Sequence, residues 1–210
     1  MLKKNLKVLI FTSIVMLIPI VAGILLWDKL PEELPIHWNV SGEVDGWSSK
    51  SFAVIGMPLL LVGIHWFCVL ATFTDPKKKN HTEKVINLVL WICPALSVLL
   101  SAITYSTALG NEVRIEIIIP VFFGFVLTVI GNYLPKCKQN YTVGIKLPWT
   151  LNSEENWNRT HRLGGRVMMI GGIATMISGF FGIFWFALVS LAVMLIVTFV
   201  YSYVLHRKGI

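Results

Sequence analysis

The side chains of this 210-residue chain that could do acid–base, metal or nucleophilic chemistry are five histidines, eleven carboxylates and three cysteines. Their spacing rules out most of that chemistry. Cys68, Cys93 and Cys137 are an odd set with no C-x-x-C spacing, two of them inside apolar runs, so neither a disulfide framework nor a zinc site is indicated. The chain has no H-E-x-x-H, no G-x-S-x-G, no Walker-type glycine loop, and no pair of carboxylates at a shared depth in an apolar run. What remains are lone groups: His37 and Asp45 in one polar stretch, His161 in another, and His65 in the middle of an apolar run. No catalytic residue, metal or cofactor is expected from them, and the chain is not read as an enzyme.

His65 is the one ionisable residue near the centre of an apolar run. Such a residue is a functional candidate by default, because charge is costly to bury in lipid. The plainer reading is a neutral imidazole hydrogen-bonded to a neighbouring helix, with Asn87, Ser97 or Tyr105 as partners, and the sequence favours it. No Asp or Glu lies deep in any run to pair with His65, which also weighs against proton pumps and cation-coupled carriers.

The elements that must position these groups follow from composition. A chain that is 55% hydrophobic and 14% charged lies outside the soluble range. Its apolar residues come in runs about as long as a bilayer is thick, so the class is an all-α integral membrane protein forming one membrane domain. Six transmembrane helices are expected, over about 6–27, 52–73, 85–108, 115–134, 163–182 and 185–205. The last two come from an uncharged stretch, Val167–Leu205. As a single helix it would be about 58 Å long against a hydrocarbon core of roughly 30 Å. It must therefore fold back, and Gly179-Phe180-Phe181-Gly182 is the expected corner.

Charge gives the orientation. The net charge is +7, but the basic residues sit in short loops, a pattern of topology signals and anionic-lipid contacts rather than of nucleic-acid binding. Fifteen Lys and Arg fall on the side holding both termini, 75–84 and 131–166, and three on the other. The positive-inside rule predicts both termini in the cytoplasm, an outer loop over 28–51 and an inner loop over 135–162.

Each long loop has its own expected shape. In the outer one Pro31 and Pro35 hold an extended approach. Ile36–Val40 then alternates, Ser41-Gly42 is a two-residue turn signal, and 43–47 returns as a second strand. That predicts a small hairpin with Trp38 on one face and His37 and Asn39 on the other. In the inner loop, Gly144 and Pro148 break any helix before Trp149. Asn152 is the expected cap of a short interfacial helix from Ser153, with Glu155 at the reciprocal position, entering the fifth span through Leu163-Gly164-Gly165. Arg159, Arg162 and Arg166 share a face of it. Lipid anchoring explains its basic and aromatic residues but not the interleaved Asn132, Asn140, Thr150, Thr160 and His161, which suit a folded element or a docking surface. Gly171, Thr175 and Gly179, with Ala174, Ser178 and Gly182 beside them, allow close helix packing within the bundle, homodimerisation being the alternative.

Two stretches together carry a family resemblance. LPEELPIHWNVSGEVDGWSSK resembles the first outer loop of the SdpI family of bacterial membrane proteins. The inner stretch resembles that family's signature at Gly131-Asn132, at Lys138-Gln139-Asn140, at Gly144-Ile145-Lys146-Leu147-Pro148-Trp149-Thr150-Leu151, and at Trp157 and Thr160-His161-Arg162. Lys146 stands where the family more often has Arg, which keeps the charge and loses the planar fork. The resemblance implies a bacteriocin-type immunity protein of the bacterial cytoplasmic membrane, protecting its cell from a secreted peptide toxin and also sensing it. It makes His37, Trp38, Asn39, Asp45, Trp47 and Lys50 candidates for meeting the toxin. Asn132, Lys138, Asn140, Gly144, Pro148, Trp149, Thr150, Trp157, Thr160, His161 and Arg162 become candidates for signalling or coupling. The implied partners are the toxin, a soluble transcriptional repressor and membrane lipids, without direct nucleic-acid binding. The alternatives are a membrane-anchored protein that sequesters the repressor through this loop, and a small transporter.

Overall fold

The structure, a computed structural model, describes residues 2–39, 41–183 and 185–210, with side chains from Lys4 onward. Val40, expected in the first strand, and the Lys3 side chain, counted for orientation, lie outside the described residues. The order of elements is α1 (Leu2–Leu25), β1 (Glu33–Trp38), β2 (Val44–Ser49), α2 (Met57–Thr74), α3 (Glu83–Ala108), α4 (Ile115–Tyr133), α5 (Pro148–Asn152), α6 (Glu154–Phe180) and α7 (Trp185–Arg207). A π-helical turn, Phe52–Gly56, leads into α2. The six long helices are each long and apolar enough to cross a membrane. The chain is a multi-pass membrane protein.

It forms two compact units, 1–73 with 87–115, and 74–86 with 116–210. In the first, the foot of the hairpin is packed on the helices. Leu30, Leu34, Ala53, Val54 and Tyr105 form a buried cluster, with Ala22, Leu26, Trp27, Ile36 and Ala108 against it. The Tyr105 hydroxyl donates to the Pro19 carbonyl at 3.0 Å, tying α3 to α1. His65 meets α1 and not α3. Its Nε2 lies 3.1 Å from the Thr12 hydroxyl, which itself donates to the Leu9 carbonyl at 3.0 Å. That hydroxyl therefore accepts from His65 Nε2–H, and Nδ1 is buried without a hydrogen-bond partner. Trp66 donates to Ser13 Oγ at 3.0 Å one residue along on both helices. The expected partner, one of Asn87, Ser97 and Tyr105, is thus replaced by Thr12 of α1.

In the second unit, glycines on α6 let α4 approach at backbone distance. A Cβ on Gly172 would stand 2.6 Å from the Gly124 carbonyl oxygen. One on Gly165 would stand 2.6 Å from that of Gly131, and one on Gly179 3.0 Å from Pro120. Gly165, Gly172 and Gly179 recur every seven residues, as Gly124 and Gly131 do. Small residues at a helical period permit this separation. On the other side of α6, Thr175 Oγ1 meets Ser190 Oγ of α7 at 2.8 Å. The expected corner forms. Ile183 N–H donates to the Ser178 carbonyl and Gly182 N–H to that of Gly179, both at 3.0 Å, with Gly182 at φ +69°. This is the glycine-ended helix stop that satisfies the last carbonyls.

The expected separate interfacial helix is corrected. The helix from Glu154 runs unbroken to Phe180, because Gly164 and Gly165 are used for close packing instead of as a break. Its cap is Ser153, whose Oγ accepts from Asn156 N–H at 3.1 Å, and not Asn152, which ends α5. Glu155 pairs with Arg159 at 2.6 Å one turn along.

Candidate functional site

Two loops carry the polar groups singled out in the sequence. In the hairpin, β1 and β2 are antiparallel with Glu33 opposite Ser49 and Trp38 opposite Val44, and the register shifts around His37. The turn is longer than Ser41-Gly42: Asn39 N–H donates to the Glu43 carbonyl at 2.9 Å, and Gly42 takes φ +81°. Asn39 Oδ1 accepts from Ser41 N–H at 2.9 Å and Glu43 N–H at 3.1 Å, so Asn39 builds the turn. His37 Nδ1 and Asp45 Oδ1 lie 2.5 Å apart on the solvent side. With Trp47, which is 55% exposed, they make a polar and aromatic face. Trp38 is half-buried. Lys50 departs from its expected role, being buried, 3.0 Å from Glu32 Oε1 and over the Trp27 ring. Its charge is spent on the hairpin's own base.

The second cluster is built from three segments of one unit: the connector 75–86, the loop 137–152 and the start of α6. Asn140, fully buried, is a node. Its Oδ1 accepts from Thr142 N–H at 2.9 Å and Val143 N–H at 2.7 Å, while its Nδ2 donates to the carbonyls of Lys138 and Val143, both at 2.8 Å. Trp157, fully buried beside Val85 and Cys137, donates from its indole to the Cys137 carbonyl at 2.7 Å. Thr150 accepts from Leu147 N–H at 2.8 Å and donates to the Ile145 carbonyl at 2.9 Å, and Pro148 opens α5. Trp149 lies among Phe199, Tyr203 and a stacked His206, and its indole donates to Ser202.

The connector closes this loop from the other side. Asp75 Oδ1 accepts from Lys77 N–H at 2.7 Å, and Oδ2 from Tyr141 N–H and the Thr142 hydroxyl, both at 2.9 Å. His81 Nε2 sits 3.2 Å from that hydroxyl and donates to it, since the hydroxyl proton is committed to Asp75. Both side chains are shut off from solvent. Burial raises the Asp75 carboxyl, but the N–H of Lys77, the Thr142 hydroxyl, the N–H of Tyr141 and the nearby His81 together hold it below the usual carboxylate range. Burial lowers the His81 imidazole by more than Asp75 raises it.

The signature residues therefore divide. Asn140, Thr150, Trp157, Thr160 and His161 are buried, and Gly144 packs against His161 and Trp157. Asn132, Lys138, Pro148 and Arg162 are exposed, and Trp149 is half-buried. Sequence reasoning missed Asp75, His81, Gln139, Asn156 and Ser202, all buried and all hydrogen-bonded into this cluster. Gln139 Nε2 donates to the Thr150 and Leu151 carbonyls at 2.9 and 3.0 Å. Asn156 Nδ2 donates to the carbonyls of Ser202 and Ile210, both at 3.0 Å. The available signal was the acid and histidine flanking the basic run of the short connector. Among the described residues no group of three metal-ligating side chains is found.

Residues 136–202 match the SdpI/YfhL protein family, and residues 14–62 match a domain of unknown function (DUF1648). Over 215 aligned residues, covering 99% of this chain and 98% of the relative, the sequence is 27% identical to the Immunity protein SdpI of Bacillus subtilis (strain 168). The first match covers most of the loop cluster with α6 and much of α7, and the second covers much of α1, the hairpin and the start of α2. No solved structure matches.

Proposed function

We propose that this chain, a relative of the SdpI/YfhL proteins, is an immunity protein of the bacterial cell membrane that protects its cell from a secreted, membrane-active peptide toxin. The observation that carries this reading is a likeness to an immunity protein that runs through 99% of the chain, loops and helices alike. The orientation that goes with it places both termini in the cytoplasm, by the excess of fifteen Lys and Arg over three. The hairpin then faces outward. Its exposed His37, Asp45 and Trp47 offer a carboxylate and an aromatic ring side by side, which suits a cationic, amphipathic peptide at the headgroup level. Protection by binding at the outer leaflet follows from that surface, without bond-making chemistry.

The test is expression in a toxin-sensitive strain challenged with the family's peptide toxin. Survival is expected to rise to that of a naturally protected cell. Full killing, with the protein verified in the membrane, would refute the reading. Repressor capture through the inner loop is not favoured by any observation here, since most of the signature residues offered for it are occupied inside the fold.

A further inference from the structure

One strongly charged surface has no part in the reading above. Arg159, Arg162 and Arg166 lie along one face of α6 and, with Leu163 and with Tyr201 of α7, line an open cavity of about 390 Å³. Arg159 is paired with Glu155 at 2.6 Å. Arg162 and Arg166 are exposed, and among the described residues neither has a carboxylate at ion-pair distance. Positive charges gathered one turn apart repel each other, so an anion is the natural complement of this concavity. Guanidinium forks match the oxygens of a phosphate in a bidentate way that an ammonium does not.

The same helix face says what the anion is attached to. Beyond Arg166 it continues through Ile170, Ile173 and Ile177, which are 70%, 44% and 54% exposed. Those residues extend the arginine face by roughly 15 Å at the helical rise, along a span apolar enough to lie in a bilayer. A soluble phosphate would use only the arginines. A phospholipid would use both parts, with its headgroup in the cavity and an acyl chain along the isoleucines. We propose that the Arg159–Arg162–Arg166 concavity is a binding site for the phosphate headgroup of an anionic phospholipid.

The site is tested with the full-length chain in a neutral detergent, reading thermal unfolding while phosphatidylglycerol, phosphatidylcholine or inorganic phosphate is added. Phosphatidylglycerol is expected to stabilise the protein at much lower concentration than the other two. Arg162→Ala/Arg166→Ala is expected to raise the concentration needed by at least about ten-fold, the scale of losing charged hydrogen bonds, without changing the lipid-free unfolding temperature. If that variant does not fold, Arg162→Lys/Arg166→Lys keeps the charge, removes the fork, and is expected to weaken the response several-fold. Equal stabilisation by phosphatidylcholine, or an unchanged phosphatidylglycerol response in the variants, overturns the site. Inorganic phosphate reproducing the whole effect overturns the lipid assignment in favour of a soluble anion. None of these readouts depends on toxin immunity, so this site and the proposed function fail or stand separately.

Discussion

The backbone N–H of Ile145 donates to Nε2 of His161 at 3.0 Å, and Nδ1 of the same ring donates to the Trp157 carbonyl at 2.8 Å. A nitrogen that accepts from a backbone amide carries no proton, so the imidazole is neutral with its hydrogen on Nδ1. The ring also stacks on Trp157, centroid to centroid at 3.9 Å. His161, held on its own helix by Trp157, thus ties the 137–152 loop to α6 through Ile145, which leaves it no lone pair for proton transfer.

Gly144 is the residue that makes this possible, and replacing it should be costly. Its φ of +129° suits only glycine, and a Cβ there would press into His161 Nε2 and stand 3.0 Å from the Trp157 ring. Gly144→Ala is expected to destabilise the protein by about 1–3 kcal/mol through strain and loss of the Ile145–His161 bond. His161→Ala, which leaves the part-buried Ile145 N–H unpaired and removes the ring stacked on Trp157, should cost at least as much. Thermal unfolding in detergent reads both, and an unchanged midpoint for Gly144→Ala would show that the loop does not need this approach.

The clamp of Asp75, Thr142 and His81 should make the 137–152 loop acid-sensitive. His81 is lowered in the folded state, so the unfolded chain binds its proton first, near the ordinary value of about 6.5. Asp75 is also lowered, so its contribution is present above the ordinary carboxylate value and is lost as pH falls through its folded value. Both act in the same direction. Protection of the Tyr141 and Thr142 amides against hydrogen exchange, corrected for the intrinsic pH dependence of exchange, is expected to fall from just above pH 6.5 downward. His81→Gln should remove the upper part of that fall, and a pH-independent protection between pH 7 and 5 in the natural chain would contradict it.

How far the sequence leads differs between the two loops. Hydrophobic runs and the Gly179–Gly182 corner place all six spans, because lipid demands length and glycine ends a helix visibly. The hairpin's existence is legible from its alternation, but its details are not: the strands, expected over 36–40 and 43–47, run Glu33–Trp38 and Val44–Ser49 about a turn longer than Ser41-Gly42. The interfacial helix is misread at Gly164-Gly165, because a glycine pair looks the same whether it breaks a helix or admits a neighbour, and only the opposite Gly131 decides. Among the polar candidates, the pattern finds Asn140, Thr150 and His161 but cannot tell a docking surface from a buried network. The network is closed by bonds between distant positions, Tyr141 to Asp75 across 66 residues and Asn156 to Ser202 across 46. Local spacing carries no trace of such pairs.

The glycine seam between α4 and α6 gives a prediction independent of the loops. Gly172 faces the Gly124 carbonyl and Thr128 Oγ1, which a Cβ would approach to 2.6 and 2.5 Å. Gly172→Val must push the helices apart along the seam and is expected to cost roughly 2 kcal/mol or more by overpacking. Gly63 has nothing within 4 Å of such a Cβ, so Gly63→Ala is the matched control and should be neutral or slightly stabilising. Equal unfolding midpoints for the two variants would remove the seam as a packing requirement.

The hairpin separates holding from contact. Lys50 is 7% exposed, bonded to Glu32 and close to the Trp27 carbonyl at 3.3 Å, while His37, Asp45 and Trp47 face outward. Lys50→Ala deletes a buried cation and leaves the Trp27 carbonyl short of a donor, so it should loosen the hairpin and lower thermal stability by about 1–3 kcal/mol. Asp45→Ala and Trp47→Ala remove exposed groups, and each should change stability by no more than about 0.5 kcal/mol. If the outward face meets the toxin, these two variants should lose protection in the survival assay at normal abundance. Central aromatic anchors often carry more than 1 kcal/mol of binding, so Trp47→Ala is expected to raise killing at a given toxin dose by about ten-fold. Full protection by the Asp45→Ala/Trp47→Ala double variant would place the contact elsewhere on the chain. Loss of protection only in Lys50→Ala would mean that the hairpin's shape matters and its exposed face does not.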